Sequence, residues 1–600
     1  MNKTTDIIPL DLVRTLPGAF RERVHRTPDA TAYIQYDSKH SSWNHYSWQQ
    51  TADNTARFQA AMRNEGLQPG DRVSIMAGNS SEWVMFDQAA LGLGLVTVPL
   101  YTNDRPENVG YILEDAGVIL LMIEGSEQWH LLCDVIKPQL NNLKRIVSFE
   151  HIEESTELPL LALEYWLTDE HCELQALEGD PEELATIVYT SGTTGQPKGV
   201  MLSHTNILWD AAAGLSMIDV YPDDLALSFL PLSHTLERTA GYYLMILAGG
   251  CVAFNRSIPQ LGEDLQEIKP TILISVPRIF ERVYAKIKAK LENDPAPVRL
   301  LFNTATSVGW DHFEYQQGRI SWSPKLLFWP LLKKLVASKV QAKLGGRLRF
   351  AISGGAALTP DIARLFIGLG IPIQQGYGLT EFSPVISVNK LDDNLPFSVG
   401  TPLTGVETAI GEQDELLVRG PALMLGYWNN PQETQRVIDE QGWLHTGDQA
   451  RIEDRHIFIT GRLKEIIVMA NGEKVSPADM EMAIALDSLF EQVLVVGEGK
   501  PYLSALVVPN PDELSHFCHE NGLSDDPAVC AINKEFHHAV LERMRRLLHA
   551  FPGYAEIRKV AVVQEPWSIE NEMMTPTMKL KRNKVINRYS DIITKLYAGH

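Results

Sequence analysis

The chain lacks the cysteine pattern of a disulfide framework or of a structural zinc site. Its cysteines are scattered, their number is odd, and none forms a CxxC pair; they are Cys133, Cys172, Cys251, Cys518 and Cys530. Disulfide scaffolds and zinc sites both need cysteines at paired spacings. We therefore expect free thiols in a reducing compartment, which favours a cytoplasmic location.

Long hydrophobic runs are also missing. Residues 1–20 contain no apolar run of signal-peptide length. The most membrane-like stretch, residues 240–254 (AGYYLMILAGGCVAF), is interrupted by Gly249 and Gly250, and it is shorter than the roughly 20 apolar residues of a spanning helix. We interpret it as a buried helix followed by a strand, while a peripheral membrane contact stays open.

An excess of positive charge is absent too. Lys and Arg number 53 against 75 Asp and Glu, which gives a formal net charge of −22. Nucleic-acid binding needs a strongly basic surface, so the composition argues against it. A local phosphate site remains compatible, because a few lysines and backbone N–H groups can hold a phosphate.

The composition is that of a soluble globular protein, with 44% hydrophobic and 21% charged residues among 600. This length is too great for one core and predicts at least two domains. Strand-like runs at Leu184–Tyr189, Thr271–Val276 and Leu348–Ile352 lead into glycine loops or helical patterns. The repeated order of strand, loop and helix predicts α/β layers.

Residues 292–345 interrupt this order with prolines and an aromatic-rich stretch, RISWSPKLLFWPLLKKLVASKV. We interpret the segment as a partly helical insertion in a large domain. Trp322, Phe328 and Trp329 are expected to be packing residues. The alternative is an apolar rim for a ligand or a membrane surface.

The pattern changes near residue 460. Helices are predicted at Ala478–Leu486 and Lys534–Leu548, and strands at Gln492–Val496 and Leu503–Val508. These elements predict a compact α+β domain of roughly 140 residues, a size at which a domain can fold by itself.

The strongest local signal is YTSGTTGQPKGVMLSH, residues 189–204. Glycines let the backbone approach a ligand closely, hydroxyls donate hydrogen bonds, and a lysine adds a point charge. The Walker pattern GxxxxGK[ST] is not met, because two residues separate the last glycine from the lysine. We predict a polyphosphate clamp on a mobile hairpin, formed by Thr190, Ser191, Gly192, Thr193, Thr194, Gly195 and Lys198.

Further motifs follow in a fixed order: FLPLSHTLER (229–238), SGGAAL (353–358), QQGYGLTE (374–381), GWLHTGD (442–448), GRLKEIIV (461–468) and TPTMKLKR (575–582). Together with the clamp, they resemble the signature of the adenylate-forming (AMP-binding) superfamily, which includes acyl-CoA synthetases, luciferases and peptide-synthetase adenylation domains. The ending TPTMKLKR, the SHTLER segment and the aromatic insertion resemble long-chain fatty acid–CoA ligases. The resemblance extends from about residue 20 to about residue 590.

The resemblance implies an α/β protein with the architecture of the adenylating enzymes. A large N-terminal domain of several subdomains would comprise residues 1–461, and a small, mobile α+β C-terminal domain would comprise residues 465–600. Residues 462–464 would form the hinge, since a few boundary residues commonly absorb such a rotation.

The resemblance also implies how the adenine of ATP is bound. Tyr377, between Gly376 and Gly378, would stack on one face of the purine. The side-chain-poor segment that contains Gly355 and Ala356 would lie against the other face.

The phosphates and the ribose are assigned in the same way. Asp448 would accept hydrogen bonds from the ribose hydroxyls, and Arg462 would also reach the ribose. Thr380 would contact phosphate, and Thr194 of the clamp is counted with the catalytic residues. Glu381 would bind Mg²⁺, for which a carboxylate is a suitable hard oxygen ligand.

Two further positions are implied to be catalytic. His234 would border the acyl carboxylate. Lys579, aligned through the threonine and arginine of the TxSGKxxR pattern, would enter the site for adenylation, while Lys581 and Lys584 would face solvent. Met578 stands where many members have glycine, and glycine permits backbone conformations that methionine resists.

The activity implied is ATP-dependent formation of a long-chain fatty acyl-adenylate, then of a thioester with coenzyme A, with pyrophosphate and AMP released. One alternative is a fatty acyl-AMP ligase that transfers the acyl group to an acyl carrier protein. A more distant alternative is a non-catalytic acyl- or nucleotide-binding relative, which the presence of Lys579, Glu381, Asp448 and Arg462 disfavours. No nucleic-acid partner is expected, and chain-length preference and oligomeric state stay open.

Overall fold

The computed structural model describes residues 4–139, 142–153, 159–168, 172–190, 196–530, 532–549 and 551–598. One group of predicted clamp residues lies outside these ranges: Ser191, Gly192, Thr193, Thr194 and Gly195. The strands on either side are described and pair antiparallel, with Thr190 opposite Lys198, so the predicted hairpin is present.

The first sheet has a parallel centre and antiparallel edges. Its inner strands are short and fully buried, as expected for parallel strands that are covered on both faces. The carboxyl ends of the parallel strands meet at one edge, from which Gly354 and Tyr377 extend. The strands, in order across the sheet, are Thr401–Pro402, Val385–Val388, Ile373–Gly378, Phe350–Ser353, Ile272–Ser275, Leu225–Ser228, Cys251–Phe254, Thr31–Asp37 and Ser42–Ser47.

The second sheet carries the clamp hairpin near one edge. A continuous hydrophobic cluster joins it to the first sheet through Trp83 on an intervening helix, with Val73 on one sheet and Val252 on the other. The two sheets therefore form one large domain. The strands, in order, are Gly426–Tyr427, Lys198–Ser203, Leu184–Thr190, Val96–Pro99, Arg72–Met76, Val118–Ile123, Arg145–Ser148 and Leu160–Ala162.

The third sheet is antiparallel and ends where the large domain ends. Its last two strands form a long hairpin in which Asp448 lies directly opposite Arg462. The hairpin therefore brings two of the predicted ribose ligands together. The strands, in order, are Glu407–Ile410, Glu415–Arg419, Leu444–Glu453 and His456–Arg462.

The C-terminal part contains its own sheet, Phe490–Val496, Leu503–Pro509 and Ile557–Val562, and a small ladder of Ile467–Val468 with Lys474–Val475. Alternate side chains enter separate hydrophobic clusters on the two faces, so most residues of these strands are apolar. The predicted α+β composition is confirmed. The helices are Pro477–Ala485, Pro511–Glu520, Pro527–Cys530, Lys534–Leu547, Arg582–Arg588 and Ser590–Leu596.

Many helices of the large domain begin at a residue that can cap them. Ser47, Ser80 and Ser203 each accept a hydrogen bond from the backbone N–H three residues later, which satisfies an otherwise unpaired donor. The α-helices of this domain are Leu16–Arg26, Trp48–Asn64, Ser81–Gly92, Pro106–Asp115, Ser126–Ile136, Leu163–Trp166, His204–Leu215, Leu244–Ala248, Leu261–Ile268, Pro277–Asn293, Ala296–Gln316, Trp329–Leu332, Ser338–Lys343, Pro360–Gly368 and Pro431–Val437.

The segment 292–345 is helical, as predicted, but its aromatic residues do not all pack inside. Trp329 is buried above Gly309, where an added Cβ would lie 2.5 Å from the indole ring. Trp322 and Phe328 are exposed, so the prediction that they are packing residues is wrong. Only one face of this helical segment can contact the domain, and hydrophobicity alone does not identify that face.

The most membrane-like stretch and the cysteines can both be placed in the structure. Within the described residues, no helix is both long and apolar enough to cross a membrane. The stretch 240–254 forms the end of a buried helix and the strand Cys251–Phe254, as predicted. The cysteines are free thiols.

Candidate active site

A cavity of about 1140 Å³ lies between the large domain and the C-terminal domain. Both domains contribute to its wall, and most of the predicted site residues meet there. Those that line it are Thr190, Lys198, His234, Gly355, Gly376, Tyr377, Gly378, Thr380, Glu381, Arg462 and Lys579. Ala356 and Asp448 are not part of the wall itself, although each is adjacent in sequence to a residue that is.

Tyr377 stands at the carboxyl end of the strand Ile373–Gly378, between two glycines. A side chain at position 378 is excluded, because an added Cβ would lie 1.9 Å from the carbonyl oxygen of Pro384. The neighbouring strand of the sheet, Phe350–Ser353, is followed by a turn that contains Gly355. The φ of +78° at Gly355 favours glycine. Because glycines stand at the ends of both strands, there is space beside the Tyr377 ring. A planar base could occupy this space.

Asp448 is buried and held by two neighbours. The Tyr377 hydroxyl donates to its Oδ2 at 2.6 Å, and Arg462 Nε donates to its Oδ1 at 2.8 Å. Burial and the Asp448 carboxylate both raise the pKa of Tyr377. Burial alone would lower the pKa of Arg462, but the carboxylate raises it, so the guanidinium stays charged. Tyr377, Asp448 and Arg462, the residues predicted to bind the purine and the ribose, therefore form one connected unit.

Lys198, the lysine of the predicted phosphate clamp, contacts two other side chains. Its ammonium group forms an ion pair with Glu433 and lies 5.4 Å from the centre of the Tyr427 ring. The Tyr427 hydroxyl in turn donates to Glu381 Oε1 at 2.7 Å. The clamp lysine and the predicted metal ligand are thus connected through Tyr427.

Sequence reasoning missed Glu433 and Tyr427. Glu433 lies 235 residues from its partner Lys198, and Tyr427 lies 46 residues from Glu381. The only local signal was a polar, proline-containing segment after a short strand, which is typical of an ordinary loop. Long-range pairs of this kind become visible only in the folded chain.

The residues at Glu381 fit a magnesium ion. Glu381 supplies a hard carboxylate oxygen at the cavity wall, and Mg²⁺ is commonly held by one or two carboxylates together with substrate phosphates and waters. Within the described part of the chain, no cluster of three or more His, Cys, Asp or Glu side chains could form a closed metal site. An ion bound mainly through nucleotide phosphates agrees with this donor set.

Lys579 is carried by a tight hairpin near the C-terminus. Thr575 N–H donates to the Lys579 carbonyl at 2.8 Å, and Lys579 N–H donates to Thr575 Oγ1 at 3.0 Å. Arg582, at the base, binds the Glu481 carboxylate at 2.7 Å and the Val495 carbonyl at 2.6 Å. These bonds fix the direction in which the lysine leaves the hairpin, which is into the cavity.

Met578, at the tip of this hairpin, adopts a φ of +61°. This is the left-handed conformation that a glycine would adopt without strain, and it costs other residues about 1–2 kcal/mol. The methionine side chain is exposed, so no packing offsets the cost. The glycine-like backbone geometry is therefore kept although glycine is absent.

The Lys579 side chain is open to the cavity but surrounded by protein. Burial lowers its pKa, and so does the Arg462 charge, whereas Asp448, Glu381 and Glu465 raise it. The lysine is thus placed among the charges of the residues that are predicted to bind the nucleotide. Of the other hairpin cations, Lys584 is exposed and pairs with Glu572 at 2.7 Å. Lys581 is half-buried and lines the cavity, so the expectation that it faces solvent is wrong.

His234 lies where an uncharged imidazole is favoured. Burial lowers its pKa to about 4, and the nearby Lys579 charge acts in the same direction. Its Nδ1 accepts a hydrogen bond from Leu236 N–H at 3.2 Å. The ring is therefore neutral at pH 7 and presents its other nitrogen as a donor.

Behind His234 the cavity wall becomes apolar. One side is formed by Gly214, near the end of the helix His204–Leu215, and by Ile218. The other side is formed by Leu236, Ala240 and Leu244. Gly214 faces Leu244, and an added Cβ there would lie 3.3 Å from Leu244 Cδ1. This apolar branch suits a hydrocarbon chain better than a polar group.

A buried ion pair supports this wall. Arg238 pairs with Asp87 and donates to Thr97 Oγ1 at 2.7 Å and to Thr186 Oγ1 at 2.8 Å. Asp87 also accepts from the Tyr243 hydroxyl at 2.6 Å. The SHTLER segment is thereby attached to the second sheet, a role that the sequence did not reveal.

The chain is similar to known proteins over most of its length. The family model described as AMP-binding enzyme matches residues 20–428, and that of the AMP-binding enzyme C-terminal domain matches residues 464–600. The long-chain-fatty-acid–CoA ligase FadD15 of Mycobacterium tuberculosis is 32% identical over 89% of this chain and 89% of its own length. The long-chain-fatty-acid–[acyl-carrier-protein] ligase AEE15 of Arabidopsis thaliana is 26% identical over 98% of this chain and 87% of its own.

A solved structure gives the same fold. The adenylation domain of a carboxylate reductase from Mycobacterium chelonae superposes with a TM-score of 0.77 at 21% identity, covering 97% of this chain and 91% of its own. The predicted α/β architecture with a large N-terminal and a small C-terminal domain is confirmed. The chain belongs to the AMP-binding enzyme family and is an adenylate-forming, acyl-activating enzyme.

Proposed function

We propose that this enzyme activates a long-chain fatty acid with ATP and then transfers the acyl group to coenzyme A. The observation that carries the proposal is the continuity of one cavity, in which the nucleotide residues and an apolar branch meet beside Lys579 and His234. ATP, the fatty acid and CoA are the substrates, and pyrophosphate, AMP and the acyl-CoA thioester are the products.

In the first step, a fatty acid carboxylate oxygen attacks the α-phosphorus of ATP, and the bond to pyrophosphate breaks. Negative charge increases on the phosphoryl oxygens during this step, so catalysis depends on alignment and on fixed positive charge. Lys579 supplies a cation that the C-terminal hairpin holds in place. Thr190 and Lys198, which stand at the two ends of the predicted clamp, would contact the departing phosphates.

Binding of the nucleoside would use the unit formed by Tyr377, Asp448 and Arg462. The Tyr377 ring would stack on adenine. Each oxygen of the Asp448 carboxylate accepts one hydrogen bond from the protein and keeps a further acceptor site, so ribose hydroxyls can bind without displacing either partner.

Glu381 would hold Mg²⁺ together with the phosphates of ATP. When bound, the ion would neutralise phosphate charge and orient the leaving group. The Tyr427 hydroxyl keeps the Glu381 carboxylate in one orientation through its hydrogen bond.

Three points support a long acyl chain. The apolar branch leads away from His234 between two helices, and burial of each methylene contributes about 0.8 kcal/mol to binding. The relative FadD15 is named a long-chain-fatty-acid–CoA ligase. The neutral His234 presents no charge at the entrance to the branch, so a hydrocarbon chain meets no buried ion there.

In the second step, the CoA thiol loses its proton, its sulfur attacks the acyl carbonyl carbon, and AMP leaves. We propose that the C-terminal domain, residues 465–600, turns about residues 462–464 between the two steps. A turn follows the strand His456–Arg462 at this point, with Glu465 N–H bonded to the Arg462 carbonyl at 2.8 Å. Such a turn can absorb a rotation without disrupting the third sheet.

A second candidate uses an acyl carrier protein as the acceptor. The relative AEE15 is named a ligase of that kind and matches this chain almost end to end. Its chemistry up to the adenylate is the same, so the two candidates differ only in the thiol that attacks.

Release of pyrophosphate tests the proposal, measured with fatty acids of graded length, with and without CoA or acyl carrier protein. We expect the largest stimulation with long chains and thioester formation with CoA. Absence of stimulation by any fatty acid would refute the substrate class. Accumulation of adenylate with CoA, together with thioester formation only on the carrier protein, would favour the second candidate.

A further inference from the structure

The segment 324–343 is a run of consecutive helical turns anchored by one face. Trp329, Leu332 and Ala337 are buried in the hydrophobic cluster around the first sheet, and Leu326 is buried as well. The anchoring is close, since the backbone at Gly309 leaves no space for a Cβ beneath the Trp329 ring. The buried face is thus closely packed, and the other face of the run is turned outward.

That outward face is apolar. Leu327 is 70% exposed, Phe328 61% and Leu331 57%, and Leu335 and Trp322 extend the same surface along the chain. The leucines recur every four residues, so they lie on one side of the helix. The outer side of a surface helix is normally polar, and a contiguous exposed apolar surface indicates an interaction site.

The charge of this segment is opposite to that of the chain. Residues 319–347 contain seven Lys or Arg and no Asp or Glu, whereas the whole chain carries −22, which leaves −29 for the rest. Arg319 and Lys325 pair with Glu314 and Asp311 of the preceding helix, at 2.7 and 2.5 Å. The remaining cations are exposed: Lys333, Lys334, Lys339, Lys343 and Arg347.

We propose that the surface formed by Trp322, Leu327, Phe328, Leu331 and Leu335 docks this protein on an anionic lipid bilayer. Leucine and aromatic side chains enter the boundary between headgroups and acyl chains, and flanking lysines are attracted by negative headgroups. A second copy of the chain fits less well, because a two-fold contact through this surface would bring like charges together.

The test is sedimentation of the full chain with vesicles of phosphatidylcholine alone or of phosphatidylcholine mixed with phosphatidylglycerol. We expect at least about tenfold tighter binding to the anionic vesicles, weakened by salt, because several cations act together within a Debye length. No ATP, fatty acid or CoA is added, so the outcome does not depend on the proposed function.

Variants identify the surface. Leu327→Gln/Phe328→Gln/Leu331→Gln should lose most of the vesicle binding, and Lys333→Gln/Lys334→Gln should lose most of its salt dependence. The matched control is Leu131→Gln/Tyr165→Gln, since both side chains are 64% exposed elsewhere on the surface. All substituted side chains are solvent-exposed, and thermal unfolding of each variant checks that the fold is kept.

Three results would overturn the proposal. One is absence of wild-type binding to anionic vesicles, and another is equal binding by the wild type and the triple leucine–phenylalanine variant. The third is a wild-type protein that does not bind vesicles but forms a concentration-dependent dimer, when the triple variant does not form this dimer. That result would assign the surface to a second copy of the chain.

Discussion

The ammonium group of Lys579 enters the cavity from the C-terminal domain and meets charges supplied by the large domain. Asp448 and Glu381 favour its charged form, and Arg462 opposes it. Arg582, a few residues away, is fully engaged with Glu481 and Val495. At the scale of single residues, these surroundings give the two cations different roles. Lys579 is free to act on a substrate, whereas Arg582 holds the hairpin together.

Lys579→Ala should slow adenylate formation by about 10²–10³-fold, because it removes a fixed charge that is directed at the transition state. Thioester formation from supplied acyl-adenylate should be much less affected. Pyrophosphate exchange measures the first step and thiol consumption the second. Lys584→Ala is the control, since exposed ion pairs contribute little. An equal loss of exchange in Lys579→Ala and Lys581→Ala would contradict the choice of Lys579.

Met578 allows a test of the hairpin backbone. Met578→Gly should keep full adenylation activity, because glycine adopts positive φ without strain, although its greater freedom in the unfolded chain offsets part of the gain. Met578→Val should lower the free energy of unfolding of the hairpin region by about 1 kcal/mol or more, since a β-branched residue resists this conformation. Hydrogen exchange at residues 573–581 measures the difference. Equal protection in the two variants would show that φ at this position is not constrained.

At the scale of elements, the parts that could be predicted are those with a strong local signal. The strand at 184–190 was visible because an apolar run leads into glycines, and the C-terminal helices because of their periodicity. The Lys198–Glu433 and Arg238–Asp87 pairs were not predictable, since each joins residues more than 150 positions apart. The exposed aromatic face at 322–335 was mispredicted because composition does not state which side of a helix is covered.

The helix His204–Leu215 should set the length of the apolar branch. Gly214→Leu would place a side chain against Leu244 and narrow the branch, so kcat/KM for long fatty acids should fall by about tenfold or more, as expected for a filled hydrophobic pocket. Short fatty acids should be affected less. Gly262→Leu is the control, because open space surrounds that surface glycine. A uniform loss across all chain lengths would show that Gly214 does not limit the acyl chain.

At the scale of the whole molecule, a small set of contacts holds the C-terminal hairpin over the large domain. Arg105 pairs with Glu572, Asn103 donates to the Pro576 carbonyl at 3.3 Å, and Arg278 donates to the Met578 carbonyl at 3.5 Å. These contacts are few and partly exposed. Contacts of this kind can break and form again within a catalytic cycle, so the C-terminal domain can change its orientation.

Breaking the Arg105–Glu572 pair should therefore affect the two steps differently. Glu572→Gln should slow adenylate formation by about threefold, the effect of losing a partly exposed ion pair, and should leave the thioester step unchanged or faster. The exposed Glu570→Gln, two residues away, is the control. Stopped-flow measurement of each half-reaction separates the steps. A parallel decrease in both would mean that the pair stabilises the fold and not one orientation of the domains.

The bond between Asp448 and Arg462 has a consequence for the fate of the intermediate. Arg462 is the last residue of its strand and the first residue of the proposed hinge, so this bond ties the large domain to the start of the hinge, and the turn begins just after it. A rotation that starts beyond Arg462 would change which side chains face the acyl carbonyl and would leave the proposed nucleoside contacts of Asp448 and Arg462 intact. The reactive mixed anhydride would remain tethered through its AMP portion while the acceptor thiol arrives, which limits its escape and its hydrolysis in water.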